Sequence, residues 1–288
     1  MRIFRRIFII LFGVIFFASG MIYVVEAAGS DGEYDGIVLV AHRAGAYFAP
    51  ENTIAALEQA IKDGASVAEI DVQELADGTL IVMHDSNFLR TAGVDKNVWE
   101  TDYEELMSYE VGSSFSDAYI GEHIPTLDDF LQCAEGRVCL MLELKSTGHE
   151  DMLESNVVAA LYRHDLAYSC IVGSQNEDIL KKIKQLDENI YTVYIACELT
   201  EEQYDMPWAD SYSIMFTSLD SDMVGRIHST GKTVYGWTAN TQNAMQSVLE
   251  SGADGIVTDN VYEAGQFLKD KSIMLHFKNY LPIMRKML

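Results

Sequence analysis

In the stretch VAHRAGAYFAPENTIAAL, beginning at Val40, an apolar strand pattern ends in His42 and Arg43, and Pro50-Glu51-Asn52-Thr53 then opens a helix. A second imidazole, His84, closes the apolar run TLIVMHD. Carboxylates come from two further runs. In VAEIDV, the alternation of side chains along a strand puts Glu69 and Asp71 on one face with Val67, and Ala68, Ile70 and Val72 on the other. In MLELK the same rule sets Glu143 and Lys145 opposite Leu142 and Leu144. The apolar faces suit a helix layer, so the acids point the other way, into a shared interior.

Three carboxylates converging on one interior repel unless a cation or a proton joins them. An all-oxygen set favours Mg²⁺ or Ca²⁺ over zinc, which prefers nitrogen and sulfur. Glu69, Asp71 and Glu143 are therefore read as ligands of one divalent cation, in preference to strand-end salt bridges with Arg43 and Lys145. Two imidazoles at the same place suit a general acid and a general base. The planar fork of Arg43 fits a pair of phosphate oxygens. Together the residues read as metal-assisted attack on a phosphodiester, with one histidine taking a proton from the nucleophile and the other protonating the leaving oxygen. His123, His149, His164, His228 and His276 lack such company and are assigned no role.

The whole-chain charge bears on the same point. With 44 acidic and 20 basic residues the formal charge is −24, which argues against nucleic acid as a partner. An anionic substrate needs local positive charge, which Arg43 and a divalent cation would supply. Cys133, Cys139, Cys170 and Cys197 are scattered without metal-knuckle spacing and read as buried apolar thiols.

The elements that must hold these residues follow from the pattern. Eight short apolar runs, IVLVAH, SVAEIDV, RVCLMLELK, SCIVGS, YTVYIA, SYSIMFT, KTVYGWTAN and DGIVTD, alternate with helix candidates such as 52–63, 176–187, 220–230 and 241–251. Eight parallel βα units close a TIM (β/α)8 barrel, placed here at residues 36–270. TLIVMHD follows too closely on VAEIDV for a crossover helix, so it is expected as an antiparallel hairpin return. A two-residue turn at Asp77-Gly78 would set Asp71 opposite His84. Residues 87–125 fit no barrel unit and are expected as an insertion over the mouth.

The two ends differ in character. Arg2, Arg5 and Arg6 precede an uncharged run from Ile7 to Val25, and acidic residues follow. Residues 1–28 therefore read as one transmembrane helix with the catalytic domain outside the cell membrane, or alternatively as a cleaved signal on a secreted protein. Residues 271–288 form a basic amphipathic tail, read as a last helix on the barrel with a frayed end, or as a membrane-surface contact.

Taken in order and spacing, HRAGAYFAPENT, EIDVQELADGTLIVMHD, IPTLDDFL, LELK, GWTAN and GADGIVTD resemble the glycerophosphodiester phosphodiesterases from residue 40 to about 260. The resemblance implies a TIM barrel that hydrolyses glycerophosphodiesters to an alcohol and sn-glycerol 3-phosphate. It implies His42 and His84 as the acid/base pair, Arg43 on the phosphate, and a divalent cation, often Ca²⁺ or Mg²⁺, on Glu69, Asp71 and Glu143. Glu51 and Lys145 match further polar residues of the site, and Trp237 matches an aromatic that borders the glycerol. In the family the substrate's own neighbouring hydroxyl can attack first, giving a cyclic intermediate. One departure stands out: the usual loop reads His-Arg-Gly, whereas Ala44 precedes Gly45 here, which implies a locally adjusted turn. Two rival readings keep the barrel: a lysophospholipase D or phospholipase-type activity on membrane lipid, and a non-catalytic barrel that binds glycerophosphodiesters. A generic amidohydrolase is disfavoured because its metal-binding histidine pairs are absent.

Overall fold

The computed structural model describes residue 34 and residues 36–271. Among the described residues, nine strands form one sheet: β1 (Val38–Ala41), β2 (Val67–Glu74), β3 (Leu80–Val82), β4 (Cys139–Leu144), β5 (Ile171–Ser174), β6 (Tyr191–Ala196), β7 (Ser211–Met215), β8 (Thr233–Trp237) and β9 (Gly255–Thr258). Eight of them are parallel, and β1 pairs with both β2 and β9, so the sheet closes into a barrel. The helices are α1 (Ile54–Lys62), α2 (Leu89–Ala92), α3 (Tyr103–Leu106), α4 (Leu127–Ala134), α5 (Leu153–Arg163), α6 (Glu177–Leu186), α7 (Ser221–Ser229) and α8 (Gln242–Ser251), and residues 261–271 are helical as well.

Capping chemistry sets where the helices begin. The side chains of Thr53, Asn176, Asp220 and Thr241 each accept a hydrogen bond from a backbone N–H of the first turn they precede. These were the residues at or next to the expected helix starts, and each proves to be a cap.

The alternation expected of β2 and β4 holds. Ala68, Ile70, Val72, Leu140, Leu142 and Leu144 pack into the core shared with the helices. Val67, Cys139 and Met141 pack instead with Val40, Val193 and Tyr235 in a separate cluster that fills the barrel. That filling is tight at one crossing. Gly255 lies beside Tyr235 across β8 and β9, and a Cβ there would sit 2.6 Å from the Tyr235 ring and 2.8 Å from the Val38 carbonyl oxygen.

The hairpin return forms, but one residue out of the expected register. The pairs are Val72 with Val82, Gln73 with Ile81 and Glu74 with Leu80, so Asp71 lies opposite Met83, whose N–H donates to the Asp71 carbonyl (2.8 Å). The turn holds three residues, not two. Leu75 N–H bonds to Thr79 O, Gly78 N–H bonds back to Leu75 O, and Gly78 takes φ +84°. A left-handed glycine after a type I turn adds one residue to the loop and slips the register by one.

Residues 87–125 pack on this hairpin through a core of their own. Phe88, Val98, Leu106 and Tyr109 close over Ile81 and Met83. The thiol expectation holds for Cys139 and Cys170, which are buried, whereas Cys133 is half-buried and Cys197 exposed because its strand has ended. Among the described residues no helix is long and apolar enough to cross a membrane. The run from Ile7 to Val25 and nearly all of the C-terminal tail lie outside them.

Gly255→Ala should lower stability by roughly 1–3 kcal/mol, the usual cost of overpacking a filled core. Urea unfolding measures this, and an unchanged midpoint would show that the β8–β9 crossing yields easily.

Candidate active site

His42, Glu69, Asp71, Glu143, Lys145 and Trp237 come from parallel strands β1, β2, β4 and β8 or the residues just after them, Glu51 from the loop before α1, and His84 from the antiparallel return after β3. His42 follows β1 as its next inward position, and the chain then turns left-handed: φ is 50° at Arg43, 61° at Ala44 and 93° at Gly45. A left-handed residue with a Cβ costs roughly 1–2 kcal/mol, and Ala44 bears that cost while fully buried. The turn aims the Arg43 backbone N–H at Glu69 Oε2, 2.7 Å away.

Glu69, Asp71 and Glu143 are all buried, and one oxygen from each lies within 4.8 Å of the others. At that separation two unit charges repel by about 3.5 kcal/mol at an effective dielectric of about 20. Compensation is uneven. Lys145 Nζ lies 2.8 Å from Asp71 and 2.9 Å from Glu143, Asn52 Nδ2 donates to Asp71 at 2.7 Å, and Gln175 Nε2 donates to Glu143 at 3.1 Å. Burial raises the Asp71 pKa, but Lys145 leads a set of partners that more than reverses it, and the net direction is down. Glu69 has no cationic side chain of its own, and its Oε1 is buried without a hydrogen-bond partner. Burial first, and the Asp71 charge second, push the Glu69 pKa up. An orphaned carboxylate oxygen beside two others, all hard oxygen donors, fits a divalent cation of the Mg²⁺ or Ca²⁺ kind.

Arg43 sends Nη1 to Glu51 (3.0 Å), while its Nε, 3.9 Å from Asp71, is buried without a hydrogen bond. The two imidazoles are held alike. His42 Nδ1 is 2.6 Å from Asp259, and His84 Nδ1 is 2.8 Å from Asp85. A carboxylate only accepts, so Nδ1 carries the proton in both rings and Nε2 is left for a ligand. Asn240 fixes Asp259 in turn by bonding both its carboxylate and its backbone N–H. Trp237, at the inward end of β8, donates its Nε1 proton to Ser213 O (2.9 Å).

Two hollows meet at His84. A cavity of about 180 Å³ lies between Glu51, Asn52, Arg90, Met83 and Phe115. A wider groove of about 940 Å³ runs past Gln73, Glu143, Lys145, Gln175 and Tyr194. The histidines assigned no role stand apart: His123 bonds to Tyr109 O, His149 stacks on Trp99, His164 pairs with Asp128 and His228 with Asp254. His276 lies outside the described residues.

The geometry brings His42, Arg43, Glu51, Glu69, Asp71, His84, Glu143 and Lys145 to one place, with Trp237 at the same strand ends. Sequence reasoning missed Asn52, Asp85, Arg90, Gln175, Asn240 and Asp259. Asn52, Asp85 and Asp259 lie inside or next to quoted motifs, at strand or helix ends, which is the signal that could have found them. Asn240 inside GWTAN and Gln175 just after SCIVGS carry the same signal, and Arg90 carries none.

The profile of the glycerophosphoryl diester phosphodiesterase family matches residues 42–263. The chain belongs to that family of phosphoric diester hydrolases. It is 32% identical over 227 residues to the Bacillus subtilis protein YhdW, covering 77% of this chain and 93% of that one. It is 28% identical over 228 residues to a glycerophosphodiester phosphodiesterase of Caldanaerobacter subterraneus, covering 77% and 94%. Its fold is similar to that of an Oleispira antarctica phosphodiesterase solved in complex with the product sn-glycerol-3-phosphate, with TM-score 0.76, 27% identity, and coverage of 82% and 98%.

Burial works against charge on His42, yet the Asp259 hydrogen bond and the charges of Glu69 and Asp259 raise its pKa above the ordinary 6.5. Asp259→Asn should therefore lower the His42 pKa, leaving the Glu69 charge alone to oppose desolvation. NMR titration of the imidazole checks this; an unmoved value would show that Asp259 does not hold the ring.

Proposed function

We propose that this chain hydrolyses glycerophosphodiesters to an alcohol and sn-glycerol 3-phosphate, using one divalent cation, Ca²⁺ or Mg²⁺, and His42 and His84 as the acid/base pair. One observation carries the reading: the unpartnered Glu69 oxygen in a buried three-carboxylate cluster, beside two imidazoles each tied to an aspartate. The likeness to the product complex supports the substrate class.

Glu69, Asp71 and Glu143 would hold the cation, which when bound supplies charge to polarise the phosphoryl group. Arg43 presents its guanidinium, with Nε unpaired, towards the phosphate oxygens. Lys145 stays protonated because Asp71 and Glu143 outweigh its burial, and so adds positive charge where the phosphorane gains negative charge. One imidazole takes the proton of the attacking oxygen through Nε2, whether that is a neighbouring substrate hydroxyl or water. The other gives its proton to the leaving alcohol. The aspartates keep each ring in the required tautomer and stabilise its charged form. Glu51 holds Arg43, and Trp237 offers an aromatic wall to the glycerol.

Lysolipid is a second candidate substrate, favoured by Met83, Val111, Phe115 and Ile124 lining the cavity beside His84. A non-catalytic barrel is disfavoured because no histidine or carboxylate of the set is missing. The N-terminal arginines and the apolar run after them support an anchored catalytic domain facing outward, at the cell membrane.

The purified chain should release glycerol 3-phosphate from glycerophosphocholine with Ca²⁺ or Mg²⁺, and lose that activity on chelation. His42→Ala should cost about 10²–10⁴-fold in kcat. No release by folded protein with either metal would refute the soluble-substrate reading, and release from lysophosphatidylcholine alone would establish the second one.

A further inference from the structure

Arg90 joins parts of the site that come from separate loops. It belongs to α2 in the insertion, not to the barrel. Its Nε and Nη2 reach Asp85 Oδ2 and Oδ1 at 2.6 and 3.1 Å. Its Nη1 and Nη2 reach Glu51 Oε2 and Oε1 at 2.8 and 2.7 Å. One guanidinium thus makes two bidentate forks. Asp85 is also the partner of His84 Nδ1, and Glu51 the partner of Arg43 Nη1. An unbroken path runs from His84 through Asp85, Arg90 and Glu51 to Arg43.

Ordinary surface pairing does not account for this arrangement. Arg226 makes a single hydrogen bond to a carboxylate that is 70% exposed. Glu51 and Asp85 are only 19% and 28% exposed, although Arg90 itself is 48% exposed. The platform beneath Arg90 is firm, since neighbouring Phe88 is fully buried in the insertion's core. Gln73 Nε2 fixes the backbone after the hairpin by bonding Met83 O and Asp85 O (2.7 and 2.8 Å). That leaves the Asp85 and Glu51 carboxylates, which carry like charge and stand on different loops, to be drawn together by the cation between them.

We infer that Arg90 is a positioning residue, one that sets the relative placement of His84 and Arg43 by gripping Asp85 and Glu51 at once. The inference rests on the hydrolysis proposed above. A lysine cannot substitute, because a point charge does not fork to two carboxylates in one plane. Misplacing reacting groups by about 1 Å costs on the order of 10²-fold in rate.

The test compares kcat and KM on glycerophosphocholine for the full chain and for Arg90→Lys, Arg90→Gln, Asp85→Asn and the Arg90→Gln/Asp85→Asn pair. Both Arg90 variants should lose about 10–100-fold in kcat, with KM within about threefold and a melting temperature close to that of the wild type. The double variant should be no slower than the slower single, because both changes release the same imidazole. Unchanged kcat, a rise in KM alone, additive losses, or failure of both Arg90 variants to fold would each overturn the inference. The NMR resonances of the two rings give a readout independent of turnover. If the wild type hydrolyses nothing, the proposed function fails, and the inference still stands or falls on whether Arg90→Gln shifts His84 and spares His42.

Discussion

Glu69, Asp71 and Glu143 crowd three carboxyl groups into a buried space in which one oxygen of each lies within 4.8 Å of the others, and the site is arranged around the cost of charging them together. Lys145 bridges two of the three and Asn52 and Gln175 add neutral donors. None of these reaches Glu69 Oε1. One ammonium cannot balance three carboxylates, and the nearest guanidinium bonds Glu51 and comes only within 3.9 Å of Asp71. The three carboxyl groups are so placed that they could hold a divalent cation, and under the proposed function that cation would make the −24 chain locally hospitable to a phosphodiester.

The barrel supplies this cluster because parallel strands deliver alternate side chains to one rim. Apolar residues fill the lower interior and polar ones occupy the last inward positions of β2 and β4 and the turn after β1. Local strain is accepted there. The left-handed turn through Arg43 and Ala44 disfavours the backbone, yet it brings an amide to Glu69 and starts Arg43 on its way to Glu51. The insertion then adds what strand ends cannot, a cation that ties two loops across the mouth.

Much of this was legible in the chain. Period-two alternation placed Glu69 and Asp71 inward and Ile70 outward, because a strand with one face against helices leaves no other choice. Helix starts were legible at Thr53 and Asn176 because short polar side chains satisfy orphan N–H groups there. The hairpin register was not, since Asp77-Gly78 suits both a two-residue turn and the three-residue loop that forms, and the choice depends on backbone angles. Partners such as Asp259 with His42, 217 positions apart, or Arg90 with Glu51, depend on barrel closure and on a loop path that no local periodicity encodes.

The most direct test of the account is calorimetric titration of the folded chain with Ca²⁺ and with Mg²⁺, beside Glu69→Gln and Asp71→Asn. The account predicts one cation bound per chain in the wild type and weakened or absent binding in both variants, with each variant still folded. Saturable binding that survives both substitutions, or no binding of either ion at millimolar concentration, would contradict it.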